Sequence, residues 1–300
     1  MENFGETLRS IRLNKGLTQK YLYQGVLSKS YAIRFEQGKH DISFVLLLEI
    51  LDRLPMEVSE FLYIHQGYQP SESQWFYTEL LKSGNHMDLA GLAALKEAYQ
   101  RRYPASRKQT SRLLQVDYRW EQLHYYGQNR QITEDVVTPE LQAKIQRLLA
   151  ATQSWTMEDL RFFAATLDLV PTSDLTLFFQ GLIPSLKRYR QFEAGKNVLC
   201  ILLINALHKA LFSESYGIAR ELLALLEDFA DGLDYLAYRN FAGFYTGLLQ
   251  LVGRKAGQPE YEAGLASARQ ASAIFRQLQY PFYEELTQDI LQAFLAIQGV

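Results

Sequence analysis

LSKSYAIRFEQGKHD, residues 27–41, is the stretch that decides the fold of the N-terminal part of the chain. Ser28 is a residue type that caps helices and Gly38 is one that ends them, so the stretch predicts a short helix. Ala32 and Phe35 lie three positions apart and share one face of that helix, which is suited to packing on a core. The remaining surface is polar, which is typical either of a solvated helix or of a helix that is inserted into a partner.

Four more short helices are predicted around this stretch from apolar spacing and from Gly and Pro breaks. The five segments are a helix ending at Gly16, residues 19–24 capped by Thr18, the helix capped by Ser28, a helix from Ile42 or Ser43 to Leu54, and residues 58–65. A helix followed by a tight turn and a second helix with a polar N-terminus is the pattern of a helix-turn-helix, whose second helix enters the major groove of DNA.

Six polar side chains in this region have the chemistry for DNA contacts. Lys29, Ser30 and Arg34 project away from the face of Ala32 and Phe35 and are candidates for base edges. The candidate phosphate contacts are Gln19 at the start of the preceding helix, and Gln37 and Lys39 just beyond the recognition helix.

The charge distribution is consistent with this interpretation. Residues 1–40 contain seven basic and three acidic side chains, a net charge of +4, whereas the whole chain carries −2 and the remaining 260 residues therefore carry −6. A basic N-terminal segment joined to an acidic remainder is expected when one domain binds nucleic-acid phosphates and the other has a different function.

Composition favours a cytoplasmic globular protein. The chain of 300 residues is 48% hydrophobic and 21% charged. No apolar run reaches the ~18–20 residues of a membrane helix, and no basic segment followed by an apolar one predicts a signal peptide. One cysteine, Cys200, lies in an apolar run and is expected to be a buried small hydrophobe in a reducing compartment.

No enzyme, metal or cofactor is predicted. The five histidines have no metal-ligand spacing, and nucleotide-binding glycine loops and a Gly-x-Ser-x-Gly motif are absent. Carboxylate pairs such as Glu158-Asp159 and Glu227-Asp228 are typical of solvated helix surfaces.

The rest of the chain predicts longer helices in pairs, giving an all-α protein. The predicted helices are residues 72–83 and 86–103, 106–127 and 138–152, 156–168 and 172–190, 193–212 and 214–230, 233–254 and 259–279, and 282–298. Successive pairs start roughly 35–50 residues apart, a period typical of right-handed, tetratricopeptide-like helical hairpins that form a concave binding surface.

An irregular helical bundle without a groove is the alternative to this repeat architecture. We expect a helix-turn-helix domain at residues 1–66, a linker at 67–72 and a repeat domain at 73–300.

Polar residues that interrupt the apolar stretches of the repeats are candidates for ligand binding. They are Arg161, Asn197, Asn205, Tyr238, Arg239 and Asn240. Asn can donate to and accept from a peptide backbone, and Arg can hold a terminal carboxylate. The alternative is that such an Asn bonds a neighbouring helix and such an Arg reaches out to water. Phe162, Phe163, Phe178 and Phe179 are expected in the core.

Residues 5–65 resemble the helix-turn-helix domain of the lambda-repressor and Cro superfamily. LSKSYAIRFEQG with Ile42-Ser43 and the helix at 47–54 resembles the Rgg/GadR/MutR regulators, and WTMEDLRFFAATLDLVPTSDLTLFF, residues 155–179, is similar to the middle of the same family. The resemblance implies a homodimeric transcription regulator that binds promoter DNA and, in many members, a short pheromone peptide in the concave groove. It further implies a salt bridge between Arg12 and Glu36, because these residues match a pair that, in this superfamily, joins the first helix to the end of the recognition helix.

Four positions depart from the family pattern. Tyr23 replaces a small residue before the turn, which predicts a splayed turn, and Tyr31 and Ile33 replace residues that are commonly polar, which predicts an altered base preference. Phe44 replaces a cysteine that cross-links subunits in some relatives, so no disulfide-locked dimer is expected. Dimer contacts through the N-terminal domain and through the last helix both remain open.

The sequence therefore predicts a transcription regulator controlled by an intracellular peptide. The alternatives are a helical-repeat scaffold for a partner protein and a regulator that senses a small metabolite.

Overall fold

Every regular element that the computed structural model describes, in residues 3–129 and 136–298, is a helix. The predicted all-α class is thereby confirmed. The chain divides into two compact units, Met1–Leu95 and Lys96–Val300.

The first five helices follow the predicted order. They are α1 (Phe4–Asn14), α2 (Gln19–Tyr23), α3 (Lys29–Glu36), α4 (Phe44–Asp52) and α5 (Val58–His65). Thr18, Ser28 and Ser43 each accept a hydrogen bond from the backbone N–H three residues later, so all three act as N-caps. Gly38 ends α3 in a left-handed conformation with φ of +74°, which a residue without Cβ adopts at little cost.

A single apolar core joins these five helices. Leu8, Ala32, Phe35, Ile50 and Phe61 are fully or almost fully buried in it. Ala32 and Phe35 therefore have the core-facing role that their spacing predicts.

The boundary between the two units differs from the predicted linker at 67–72. Two further helices, α6 (Glu72–Asn85) and α7 (Leu89–Arg102), follow α5, and the first unit extends through α6 to Leu95. Phe76, Leu80 and Leu92 are buried within this part of the chain. Residues 67–71 are therefore a turn before α6, with left-handed backbone at Gly67 and Tyr68, and this turn and Glu72, the first residue of α6, lie inside the first unit.

Nine further α-helices are described in the second unit. They are α8 (Arg107–Asn129), α9 (Pro139–Ala150), α10 (Met157–Thr166), α11 (Leu175–Arg188), α12 (Glu193–Phe212), α13 (Tyr216–Phe229), α14 (Leu236–Leu251), α15 (Pro259–Gln277) and α16 (Pro281–Ile297). Short 3-10 turns precede α11 and α14 and follow α10. Part of the loop predicted after residue 127 lies outside the described residues, and α8 continues to Asn129.

The helices of this unit pack as hairpins whose alternate members also touch. α8 with α9, α12 with α13 and α14 with α15 are sequential pairs, while α8, α10, α12, α14 and α16 each contact the next in that series. This arrangement is the helical-repeat organisation that the periodicity predicts, and it places α12 between α10 and α14, with α13 on a third side.

Helix α12 supplies much of the core of the second unit. Leu199, Leu203 and Leu207 are fully buried, and burial raises the pKa of the Cys200 thiol to about 12. Among the described residues α12 is also the one helix long and apolar enough to cross a membrane by length and composition. Half of its apolar window is buried inside the protein, as in the core helix of a folded domain.

Helices α14 and α15 approach each other through two glycines. A Cβ on Gly247 would lie 2.6 Å from the carbonyl oxygen of Gly264 and 2.8 Å from the backbone nitrogen of Ala268. Since these contacts are with backbone atoms, any side chain at Gly247 forces the helices apart. At Gly243, one turn earlier, a Cβ would meet nothing within 4 Å.

We therefore expect Gly247→Ala to destabilise the protein by about 1–3 kcal/mol, the usual cost of overpacking. The melting temperature of the full chain, followed by circular dichroism, should fall by about 3 °C or more. Gly243→Ala is the matched control, since it adds the same methyl group to the same helix and should leave the melting temperature unchanged or higher. Equal melting temperatures for the two variants would contradict the close helix contact.

Candidate functional site

The end of α3, the predicted recognition helix, is fixed by a buried ion pair. Arg12 of α1 is 7% exposed and Glu36 of α3 is 2% exposed. The guanidinium donates from Nε to Glu36 Oε1 at 2.6 Å and from Nη2 to Oε2 at 2.8 Å, and its Nη1 donates to the carbonyl of Leu17 at 2.8 Å. This two-pronged geometry sets both the distance and the orientation between α1 and α3.

Gln19 of α2 joins the same carboxylate. Its side-chain Nε2 donates to Glu36 Oε2 at 2.7 Å. Burial alone would raise the pKa of Glu36, but the hydrogen bonds from Arg12 and Gln19 outweigh burial, so the pKa lies below its usual value. Three helices therefore meet at one ionised carboxylate.

This contact gives Gln19 a role inside the domain, and its contact with phosphate stays a prediction. Its amide nitrogen is already used inside the domain, and the side chain is half-buried. The sequence prediction missed this because Gln19 and Glu36 are 17 residues apart and only the fold brings them together.

The other predicted DNA-binding residues lie on the surface. Lys29, Ser30, Arg34, Gln37 and Lys39 are all exposed. Ser30 Oγ lies 3.3 Å from Ser28 Oγ, and in the described part of the chain Lys29, Arg34 and Lys39 form no ion pair. Their charges are therefore available to an outside partner on the side of α3 that faces away from the core.

Two contacts that the sequence does not predict hold α2 and the turn before α3. Arg53, at the end of α4, donates from Nη1 to the carbonyls of Leu22 at 3.1 Å and Gln24 at 2.7 Å, which fixes the turn between α2 and α3. Tyr23, the residue for which a splayed turn is predicted, is 2% exposed and packs edge-to-face on Phe35, so its ring is part of the core.

In the second unit, three of the predicted ligand-binding residues bond neighbouring helices. Arg239 donates to the carbonyl of Glu227 in α13 at 3.0 Å, Asn240 to that of Ala271 in α15 at 2.9 Å, and Asn205 to that of Ala164 in α10 at 3.3 Å. These contacts correspond to the structural alternative for helix-interior polar residues. Arg239 and Asn205 remain exposed, whereas Asn240 is half-buried.

Asn197, Ile201 and Asn205 form one exposed line along α12, which we call the α12 stripe. They are four residues apart, so they lie one above another on the helix. Ile201 is 46% exposed although it belongs to the most apolar helix of the unit. Asn205 bonds α10, and α12 contacts both α10 and α14, so the α12 stripe lies on a helix that has these two helices as neighbours.

Two further predicted ligand residues lie on α10 and α14, the helices that contact α12. Arg161 lies on α10 and is half-buried, and Tyr238 lies on α14, half-buried against the core. Burial raises the pKa of the Tyr238 phenol, which therefore stays neutral and able to donate. The predicted aromatic residues Phe162, Phe163 and Phe179 are buried, and Phe178 packs against them.

The fold and these surfaces define a class: a helix-turn-helix protein with a C-terminal array of helical repeats, as in transcription regulators. Residues 93–288 match the family model described as the C-terminal domain of the HTH-type transcriptional regulator Rgg. The chain therefore belongs to the Rgg family, whose members are transcription regulators and not enzymes. No curated protein sequence matches the chain significantly.

Solved structures share this fold over nearly the whole chain. A candidate transcriptional regulator from Listeria monocytogenes EGD-e is 26% identical with a TM-score of 0.85, covering 99% of this chain and 98% of that one. The SHP pheromone receptor Rgg2 of Streptococcus dysgalactiae is 20% identical with a TM-score of 0.70, covering 96% and 98%. The PrgX/cCF10 complex is 15% identical with a TM-score of 0.69, covering 96% and 98%.

The ion pair predicts an asymmetry between single and double substitutions. Arg12→Met leaves the Glu36 carboxylate buried without its main partner, which costs about 3–5 kcal/mol, whereas Arg12→Met with Glu36→Leu removes both charges and should recover most of the loss. Amide hydrogen exchange of residues 3–65 in the full chain at pH 7 measures this. Exchange of the most protected amides should be about 150- to 5,000-fold faster in the single variant only, which corresponds to this loss of free energy.

The direction of the Glu36 pKa shift adds a dependence on pH. Because the folded-state pKa is depressed, the pair stabilises the fold at neutral pH, and this contribution is lost as the pH falls through the folded-state pKa.

Equal protection from amide hydrogen exchange in the single and double variants would mean that the pair does not hold α1 to α3.

Proposed function

We propose that this chain is a homodimeric, intracellular regulator that binds promoter DNA through α3 and is controlled by a short peptide bound at the surface around the α12 stripe. The observation that carries the proposal is the pairing of two surfaces within one Rgg-family chain. One is α3, which packs one face on the core and exposes cationic side chains that form no ion pair among the described residues. The other is the α12 stripe.

The DNA-binding part rests on α3. Lys29, Ser30 and Arg34 would meet base edges, and Gln37 and Lys39 would meet phosphates, because all five are exposed beyond a helix whose other face is buried. Gln19 would act indirectly, by holding Glu36 and thus the end of α3.

The peptide-binding part rests on the chemistry of the α12 stripe. Asparagine amides can pair with a peptide backbone, which offers a donor and an acceptor at each residue, and Ile201 offers an apolar contact between them. Arg161 on the neighbouring α10 would hold a carboxylate. Structures of similar fold include the SHP pheromone receptor Rgg2 and the PrgX/cCF10 complex, which supports a peptide as the ligand.

The homodimer rests on exposed apolar side chains in both units. Phe44, Val45 and Leu48 form an exposed apolar face on α4, and Phe282 and Leu286 are exposed on α16. A dimer would place two copies of α3 on two half-sites. The peptide would then act by favouring one arrangement of the two recognition helices, which requires a different affinity for each arrangement.

The DNA-binding proposal predicts that Arg34→Ala lowers affinity for the preferred genomic fragment by at least about tenfold, because one base-reading arginine is lost. Lys39→Ala should weaken all fragments alike and reduce the salt slope by about one per recognition helix. Fluorescence anisotropy over a series of salt concentrations measures both effects.

The matched control is Lys255→Ala, which removes an exposed positive charge from the loop before α15. It should leave affinity and salt slope unchanged. If the wild-type protein prefers no genomic fragment, with or without candidate peptides, the DNA-binding proposal is wrong.

The peptide proposal predicts that Asn197→Ala weakens peptide binding about fivefold, the usual effect of losing one neutral hydrogen bond. Calorimetric titration of the full chain would use peptides encoded by short open reading frames beside the gene. Gln270→Ala is the control, because Gln270 is an exposed amide on α15. The same affinity in both variants would exclude the α12 stripe as the peptide site.

A further inference from the structure

The recognition helix carries an apolar side chain within its otherwise polar exposed surface. Ile33 is 36% exposed, and Ser30 and Gln37 are its neighbours at three and four positions along α3. Since Ala32, Phe35 and Glu36 are the buried residues of this helix, Ile33 belongs to the arc that faces away from the core.

Tyr31, the other unusual residue of α3, contacts the segment that follows the helix. Its hydroxyl donates to the backbone carbonyl of Asp41 at 2.8 Å, and its ring stacks on the imidazole of His40 at 5.2 Å with an angle of 14°. Tyr31 thus holds the segment that follows α3. Ile33 makes no such contact with that segment, and its branched Cβ keeps the side chain in few rotamers.

The major groove presents one methyl group, at C5 of thymine, among its hydrogen-bond donors and acceptors. A rigid aliphatic side chain beside Ser30 and Arg34 matches that group, while the polar neighbours match the base edges. We propose that Ile33 is a specificity-determining residue that contacts a thymine methyl in each half-site. This inference rests on the proposed function, because it requires α3 to enter the major groove.

The assignment predicts a thymine beside the base pairs read by Ser30 and Arg34. Its methyl group should contribute about fourfold in affinity, the effect of taking one methyl group out of water. Two half-sites in a dimer would together contribute roughly fifteenfold.

The test uses the full chain and a site recovered by selection from random duplex DNA. Each thymine is then replaced by deoxyuridine, which lacks the methyl group and keeps every hydrogen-bonding atom. The wild-type protein should lose about fourfold in affinity at one thymine per half-site. Ile33→Ala removes the contact from both subunits of the dimer, so it should bind the thymine site roughly fifteenfold more weakly and should not distinguish thymine from uracil at that position.

Two variants keep the result interpretable. Ile33→Val retains a branched aliphatic side chain and should still distinguish the two bases. Leu13→Ala removes a similar exposed aliphatic group from α1, and it should bind both sites as the wild type does. Circular dichroism of each variant checks that the fold is kept.

The outcomes separate the two levels of the proposal. A selected site at which no deoxyuridine lowers affinity, or at which Ile33→Ala loses as much as the wild type, overturns the assignment of Ile33 and leaves DNA binding by α3 intact. Selection that enriches no sequence overturns the proposed function and the assignment together.

Discussion

The arrangement of the helix-turn-helix depends on one carboxylate. Glu36 accepts from Arg12 of α1 and Gln19 of α2 while it belongs to α3, so all three helices meet at a single charged group. Replacing such a pair by apolar residues often leaves stability unchanged, because desolvation offsets the attraction. We interpret the pair as fixing geometry: its hydrogen bonds have direction, whereas contacts in the surrounding apolar core tolerate small rotations of α3.

Local features of the fold could be predicted from the sequence. Thr18, Ser28 and Ser43 cap their helices because each bond spans three residues and depends on little else. Partners that are distant in sequence could not be predicted in the same way. The spacing of Gln19 and Glu36 carries no signal, and neither does the reach of Arg53 to the turn carbonyls. The residue type of Gln19 predicts a phosphate contact, whereas its hydrogen bond to Glu36 becomes visible only in the fold.

The repeat helices show the same limit. Their bounds follow from Gly and Pro breaks, but the partners of their polar residues depend on which helices become neighbours. Asn197 and Asn205 share a face, as their separation of eight predicts, yet only Asn205 has a side-chain hydrogen bond within the described residues. Arg239 and Asn240, which are ligand candidates as well, bond adjacent helices. Residue type alone does not separate these two uses.

Burial separates the positions that set the fold from those that are free to set specificity. Ala32 and Phe35 of α3, and Leu199 and Leu203 of α12, have almost no exposed surface, so a change in their size disturbs packing. Ile33 and Ile201 lie on the same two helices and are partly exposed, so the core places little constraint on them. This division explains why solved structures that are only 15–26% identical to this chain share its fold. Each helix can retain its buried face while its exposed face changes partner.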